Sequence, residues 1–202
     1  RGKLRNRKLR HKHAQIHQGK SREFPLVICF RIRLTLVGRG VRGQNMTNNP
    51  KMIVIHHTAS DRDTTTALAV NNYHRDKDWD VGPGVARAPI SSLGWHGQYH
   101  YFIEASGRLV QYAQESELRW HAGPDVNTRS IAICLAGWFD DGHDDMPTAA
   151  QVVTLKRLIQ DIQRRYRFTK EQIHGHREFM QKTCPGNHIS LEWLRSLAVE
   201  GG

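Results

Sequence analysis

Cysteine is scarce in this sequence of 202 residues. Only Cys29, Cys134 and Cys184 are present, and they lie far apart and are odd in number. Domains that depend on disulfides carry many cysteines at short spacing, usually in even number. The composition therefore argues against a disulfide framework, and we expect reduced thiols and a fold stabilised by an apolar core.

Long apolar runs are also missing. A helix that crosses a bilayer needs about 20 consecutive apolar residues. The apolar stretch at residues 25–30 is far shorter, and Arg31 and Arg33 follow it at once. It lacks a small-residue cleavage site, so the sequence does not predict a secretory signal peptide. We expect no transmembrane segment and synthesis in the cytoplasm.

Acidic residues are almost absent from the first quarter of the chain. Residues 1–50 hold 13 Lys and Arg against the single acid Glu23, whereas residues 51–202 hold 17 basic and 18 acidic residues. The net charge of +11 therefore belongs to one end. We interpret residues 1–50 as a disordered or extraneous basic tail, with Met46 as a plausible initiator. A genuine arm that adheres to an anionic polymer is the alternative, and we expect no specific nucleic-acid partner.

Residues 51–202 show the alternating signals of an α/β domain. Short apolar runs predict strands over residues 52–55, 99–105, 109–114, 130–136 and 172–175. Helical patterns occupy residues 64–75, 148–166 and 191–197. We expect a single mixed central β-sheet packed by helices. Residues 81–97, rich in glycine and proline, predict a long loop.

The expected helix starts have specific caps. Asp61 or Asp63 can cap the first helix, and Ser190 can cap the last. Thr148 and Gln151 stand three apart at the start of the longest helix, which is the spacing of a capping box.

Histidines placed at element ends are the main chemical signal. His56 ends the first predicted strand, and His176 stands eight residues before Cys184. Two imidazoles and one thiolate are good zinc ligands, and three protein ligands leave a fourth position for water, as in catalytic zinc sites. Taken alone, each of these residues is more often structural, and the neighbours His57 and His174 remain alternatives.

Five short segments occur in a characteristic order: residues 55–59 (IHHTA), 99–103 (YHYFI), 120–123 (WHAG), 127–131 (NTRSI) and 176–186 (HREFMQKTCPG). Together they resemble the type 2 N-acetylmuramoyl-L-alanine amidases, which include phage amidase lysins and peptidoglycan recognition proteins. The resemblance covers about residues 52–193. Each segment is a weak signal by itself, whereas five in order are specific.

The resemblance implies a Zn²⁺ cofactor held by His56, His176 and Cys184. In this family the ligand is the first histidine after the opening strand, which favours His56 over His57. Bound zinc lowers the pKa of water to about 7 and polarises a carbonyl group.

The resemblance also implies roles for residues around the metal. Tyr99 and Lys182 match catalytic positions, and His121 and Asn127 match positions that line the substrate groove. Amide hydrolysis needs stabilisation of a developing oxyanion, which the Lys182 ammonium can supply. Gln98 departs from the family's common glycine, which bears on substrate preference more than on reaction type.

The expected function is hydrolysis of the amide bond between N-acetylmuramic acid and L-alanine in peptidoglycan or a muropeptide, by a monomer. A phage-type lysin that reaches the cell wall after release is the favoured setting, and a cytoplasmic recycling enzyme is the alternative. The rival function is a non-catalytic peptidoglycan-binding module, which arises in this family when the metal cysteine is replaced. Cys184 argues against that rival. No sequence feature supports a third possibility, a regulator that binds another protein.

Overall fold

A computed structural model describes residues 47–77, 90–143 and 145–199. Its centre is a five-stranded sheet with the strand order β3-β2-β4-β1-β5. The strands are β1 (Met52–His57), β2 (Tyr101–Ile103), β3 (Leu109–Gln111), β4 (Ser130–Leu135) and β5 (Ile173–Gly175). The predictions for residues 1–46, and those for loop residues 81–89, lie outside the described residues.

The sheet is mixed, which confirms the expected α/β architecture. Strand β1 runs parallel to β4 and to β5, and β2 runs parallel to β4. Only β3 is antiparallel, as the second strand of a hairpin with β2. Every residue of β1 and β4 is buried, because strands in the middle of a parallel sheet are covered on both faces. The β-branched runs in these two strands fit that environment.

The described residues form four α-helices that pack around the sheet. They are α1 (Ala67–Asp76), α2 (Pro124–Asn127), α3 (Ala149–Tyr166) and α4 (Leu191–Ser196). The capping box of Thr148 and Gln151 is present at α3, and the Ser190 hydroxyl accepts a hydrogen bond from Trp193 N–H at α4, as expected. No helix among the described residues is long and apolar enough to cross a membrane.

Helix α1 begins later than the sequence predicted. Its N-cap is Thr66, whose hydroxyl accepts a hydrogen bond from Ala69 N–H. Asp61 instead accepts hydrogen bonds from the backbone N–H groups of Asp63 and Thr64. The aspartate therefore stabilises a separate turn before the helix, because short acidic side chains cap turns as readily as helices.

Strand alternation assigns the two faces of β1 to different surroundings. Ile53 and Ile55 belong to the main core, together with Leu155 and Ile159 of α3. Met52 and Val54 point to the opposite face, where they pack near α2. Because alternate residues share a face, His56 lies on the side of the sheet away from α3. This leaves its imidazole at a surface that α3 does not cover.

The residues just before the predicted domain boundary pack on the domain. Asn48 is buried, and its side-chain Nδ2 donates to the carbonyl oxygens of Glu115 and Ser130. The backbone N–H groups of Asn48 and Asn49 donate to Ser116 and Thr128. Residues 47–50 are therefore tied to the folded domain.

Candidate metal centre

The carboxyl ends of two parallel strands bring three of the predicted site residues together. His56 lies near the end of β1, and His176 follows β5 directly. Cys184 reaches the same place from the loop that precedes α4. One ligand atom from each residue lies within 4.8 Å of the others. Functional groups often gather at the carboxyl edge of parallel strands, and this cluster follows that pattern.

The spacing of these atoms fits a zinc ion. His56 Nδ1 lies 3.7 Å from Cys184 Sγ. With Zn–N near 2.0–2.1 Å and Zn–S near 2.3 Å, two ligands at a tetrahedral angle stand about 3.5 Å apart. His176 Nε2 is buried and makes no hydrogen bond to any described residue. A buried polar atom without a partner is costly, so a cation at this point would satisfy it.

The protonation states of the two histidines suit metal ligation. Burial lowers the pKa of His56 well below 6.5, with further lowering from His121 and His176. Burial, followed by the charge of Lys182, lowers the pKa of His176 to about 4. Both imidazoles are therefore neutral near pH 7 and able to act as ligands. Burial raises the pKa of Cys184 to about 11, so a thiolate here needs a cation to stabilise it.

His57, the alternative to His56, is engaged elsewhere. Its Nδ1 accepts a hydrogen bond from Phe139 N–H at 3.2 Å, and its Nε2 lies 3.7 Å from Asp140 Oδ2. It is not part of the cluster that could hold a metal ion. The geometry thus agrees with the choice of His56, although metal ligation by His56 remains a prediction.

The predicted catalytic residues lie on the walls of the groove above the cluster. The ring of Tyr99 is 5.2 Å from the ring of His56, centroid to centroid. Burial, together with the nearby thiols of Cys134 and Cys184, raises the pKa of the Tyr99 hydroxyl, which is therefore a neutral donor. Lys182 lines the groove and is solvent-exposed. Both side chains are close to the metal cluster without belonging to it.

The two predicted substrate-binding residues occupy different positions. His121 lines the groove and contacts His56, with His56 Nε2 and His121 Nδ1 3.0 Å apart. Asn127 is buried in α2, and its Oδ1 accepts hydrogen bonds from the backbone N–H groups of His121 and Ala122. It is not among the groove-lining residues. Substrate contact by either residue remains a prediction.

The groove also contains residues that the sequence did not single out. His74 of α1, Trp120, Trp138 and Asp140 line it. Trp120 stands beside His121 in a segment that carried the resemblance, so it could have been selected from the sequence. Trp138 and Asp140 follow β4, whose carboxyl end lies beside that of β1, but that signal exists only once the strand order is known. His74 is buried and packs against the Tyr99 ring at 5.5 Å.

A model of the family Amidase_2, N-acetylmuramoyl-L-alanine amidase, matches residues 46–187. The chain belongs to this family. The match spans β1 to the loop of Cys184 and so includes the whole cluster. It also begins just before Asn48, in agreement with the packing of residues 47–50 on the domain.

Relatives of this amidase family come from animals and bacteria. Peptidoglycan-recognition protein SC1a of Drosophila melanogaster is 29% identical over 163 residues, which is 75% of this chain and 77% of that protein. The 1,6-anhydro-N-acetylmuramyl-L-alanine amidase AmpD of Haemophilus influenzae is 32% identical over 110 residues, covering 49% of this chain and 56% of that protein.

Among solved structures, N-acetylmuramoyl-L-alanine amidase LysC from Clostridium intestinale URNW superposes with a TM-score of 0.57 at 27% identity. The alignment covers 74% of this chain and 85% of LysC. The likeness to AmpD and to LysC supports amidase activity for this family member.

Proposed function

We propose that this protein is a zinc-dependent N-acetylmuramoyl-L-alanine amidase that hydrolyses the bond between N-acetylmuramic acid and L-alanine in peptidoglycan. The observation that supports it best is the arrangement of His56, His176 and Cys184. Their ligand atoms lie together, and the buried His176 Nε2 has no hydrogen-bond partner in the part of the chain that the structure describes. Such a constellation suits a metal ion.

The chemistry that zinc supplies when bound is an activated water and a polarised carbonyl group. The chain's own residues would do the remaining work. The Lys182 ammonium, at the exposed rim of the groove, stabilises negative charge that develops on the scissile carbonyl oxygen. The Tyr99 hydroxyl, which burial holds neutral and which hydrogen-bonds with the Cys134 side chain, would orient the reacting groups beside the cluster.

The rival function is a non-catalytic module that binds peptidoglycan through the same groove. The peptidoglycan-recognition protein among the relatives makes this rival concrete. Against it, the chain keeps all three metal-binding residues and has both Tyr99 and Lys182 on the walls of the groove. A module that only binds would have no need for this complete set.

The setting that we propose is a lysin that acts on the cell wall after release. The likeness at 27% identity to the endolysin amidase LysCS from Clostridium intestinale URNW supports that setting, and the likeness to the 1,6-anhydro-N-acetylmuramyl-L-alanine amidase AmpD supports the alternative of a muropeptide substrate. A lysin and a recycling enzyme differ in the size of the substrate on which they act. Release of free stem peptide from intact, cross-linked cell walls would favour the lysin, whereas activity confined to small muropeptides would favour recycling.

A metal analysis with two matched cysteine variants tests the proposed function. The wild-type protein should contain about one zinc per chain, because three protein ligands are available. Cys184→Ser should lose both zinc and the release of stem peptide. Cys134→Ala should keep its zinc, because Cys134 is fully buried in a second apolar cluster with Phe102 and Tyr112 and is not part of the metal cluster. If wild-type protein purified without any chelator contains no zinc, the proposed metal site is refuted.

A further inference from the structure

The two ring nitrogens of His56 have different neighbours. Nδ1 faces Cys184 Sγ at 3.7 Å, inside the metal cluster. Nε2 lies 3.0 Å from His121 Nδ1, on the other side of the ring. The two imidazoles meet edge to face, with an interplanar angle of 88°. Nδ1 is thus the nitrogen of His56 that is available to a metal ion, and Nε2 is held by a protein partner.

The hydrogen-bond chain continues beyond His121 and ends on the backbone. His121 Nε2 lies 3.1 Å from Ser130 Oγ, and the Ser130 hydroxyl donates to Val126 O at 2.6 Å. A carbonyl oxygen can only accept, so the Ser130 proton is committed to it. Ser130 Oγ must then accept from His121 Nε2–H. His121 Nδ1 is left as an acceptor for His56 Nε2–H.

This order of donors and acceptors determines the tautomer of His56. With the proton on Nε2, the lone pair is on Nδ1, which is the atom that faces Cys184. A metal ion binds only the unprotonated nitrogen of an imidazole. The chain from Val126 O through Ser130 and His121 therefore presents His56 in the form that a metal ion needs.

The segment that carries His121 is itself fixed by α2. Asn127 Oδ1 accepts from the backbone N–H of His121 at 3.0 Å and from that of Ala122 at 2.8 Å. Asn127 is buried, and so is Ser130. His121 therefore has both its backbone and its ring held in place by buried groups.

We propose that His121 is a positioning residue for the metal ligand His56, and that Ser130 and Asn127 hold His121 in the orientation that this role requires. The inference rests on the proposed zinc site. It assigns to His121 and Asn127 a function that differs from substrate contact. Partners of this kind orient metal-bound histidines and raise their basicity, and their loss reduces metal affinity by about 10–100-fold.

Three substitutions of His121 separate positioning from substrate contact. His121→Phe keeps a ring of similar size but removes the acceptor for His56 Nε2–H. His121→Asn places an amide oxygen near the position of Nδ1 and so keeps the acceptor. His121→Ala removes the acceptor without adding bulk, and it replaces the phenylalanine variant if that protein does not fold.

The primary measurement is zinc affinity, by competition with a chromophoric chelator at fixed pH on the metal-stripped proteins. His121→Phe and His121→Ala should bind zinc about 10–100-fold more weakly than wild type, and His121→Asn should stay within about threefold of wild type. The zinc-loaded wild-type protein, labelled with ¹⁵N, should show a slowly exchanging Nε2–H signal from His56. That signal should be absent in His121→Phe.

The possible outcomes distinguish this inference from the proposed function. If wild-type protein binds no zinc, both fail together. If wild type binds zinc and His121→Phe or His121→Ala binds it equally well, only the positioning role is overturned. A variant with unchanged zinc affinity and a raised KM would show that His121 contacts the substrate instead.

Discussion

The buried His100 predicts a strong dependence of stability on pH. His100 precedes β2 and is completely buried. Its Nδ1 accepts from Ala132 N–H at 3.0 Å, and its Nε2–H donates to Glu117 O at 2.9 Å. Protonation would place a second N–H against the Ala132 N–H and a positive charge in the core. Burial accordingly lowers the pKa of His100 to about 4.

The sign and size of the effect follow from linkage. An unfolded histidine has a pKa near 6.5, so between pH 6.5 and 4 the unfolded chain binds more protons than the folded one. The stability that His100 contributes is fully present above pH 6.5 and is lost as the pH falls toward 4. From pH 7 to pH 5 this single residue should lower the free energy of unfolding by about 2 kcal/mol.

Urea unfolding of wild type and His100→Asn at pH 7 and pH 5, with EDTA present, measures this contribution. The other buried histidines titrate in both proteins and cancel in the comparison. The variant should be less stable than wild type at pH 7. Its free energy of unfolding should, however, fall by about 2 kcal/mol less than that of wild type between pH 7 and pH 5. Ile133→Ala, a buried substitution without a titratable group, should keep the wild-type pH dependence. If the free energy of unfolding falls equally for wild type and His100→Asn between pH 7 and pH 5, the reasoning is refuted.

Three further predictions concern catalysis and the domain boundary. Lys182→Ala should keep its zinc and lower turnover by about 10²–10³, because its charge acts in the transition state; zinc content and rate on one preparation check this. Tyr99→Phe should also keep zinc and lose at least about tenfold in rate, and full activity would remove the hydroxyl from the mechanism. A chain that starts at Met46 should unfold at the same urea concentration as the full chain. One that starts at Lys51 should be less stable by about 2–4 kcal/mol, because it lacks the hydrogen bonds of Asn48 and Asn49.

Local signals predicted much of the fold. The capping box at Thr148 and the cap at Ser190 were readable because a cap depends on residues within one helical turn. The predicted start of α1 was wrong because Asp61 and Thr66 are both good N-cap residues. The sequence alone does not show which of two possible caps, five residues apart, begins the helix. The order of the strands could not be predicted from the sequence either, because the pairing of β1 with β4 joins segments that are far apart in the chain.

The candidate site, too, could be predicted only in part from the sequence. The three residues of the cluster, together with Tyr99 and Lys182, were selected through short segments whose order resembles a family, not through composition. The partner of His56 was not found, because the contact between His56 and His121 exists only when the loop before α2 folds over the end of β1. Periodicity carries no information on such contacts. The sequence therefore predicted the residues of the cluster and the groove better than the contacts that hold them in place.

Arg177, the residue after His176, helps to fix the distance between the two proposed ligands His176 and Cys184. Arg177 N–H donates to Cys184 O at 2.7 Å, and its Nη2 donates to Gly186 O at 2.7 Å and to Ile189 O. Gly186 has a φ of +108°, and a Cβ there would lie 2.3 Å from Phe139 O, so only glycine fits. The loop of Cys184 is thereby fixed both to the end of β5 and to the segment after β4. Since the fold itself holds His176 and Cys184, little ordering would be needed for the proposed metal ion to bind.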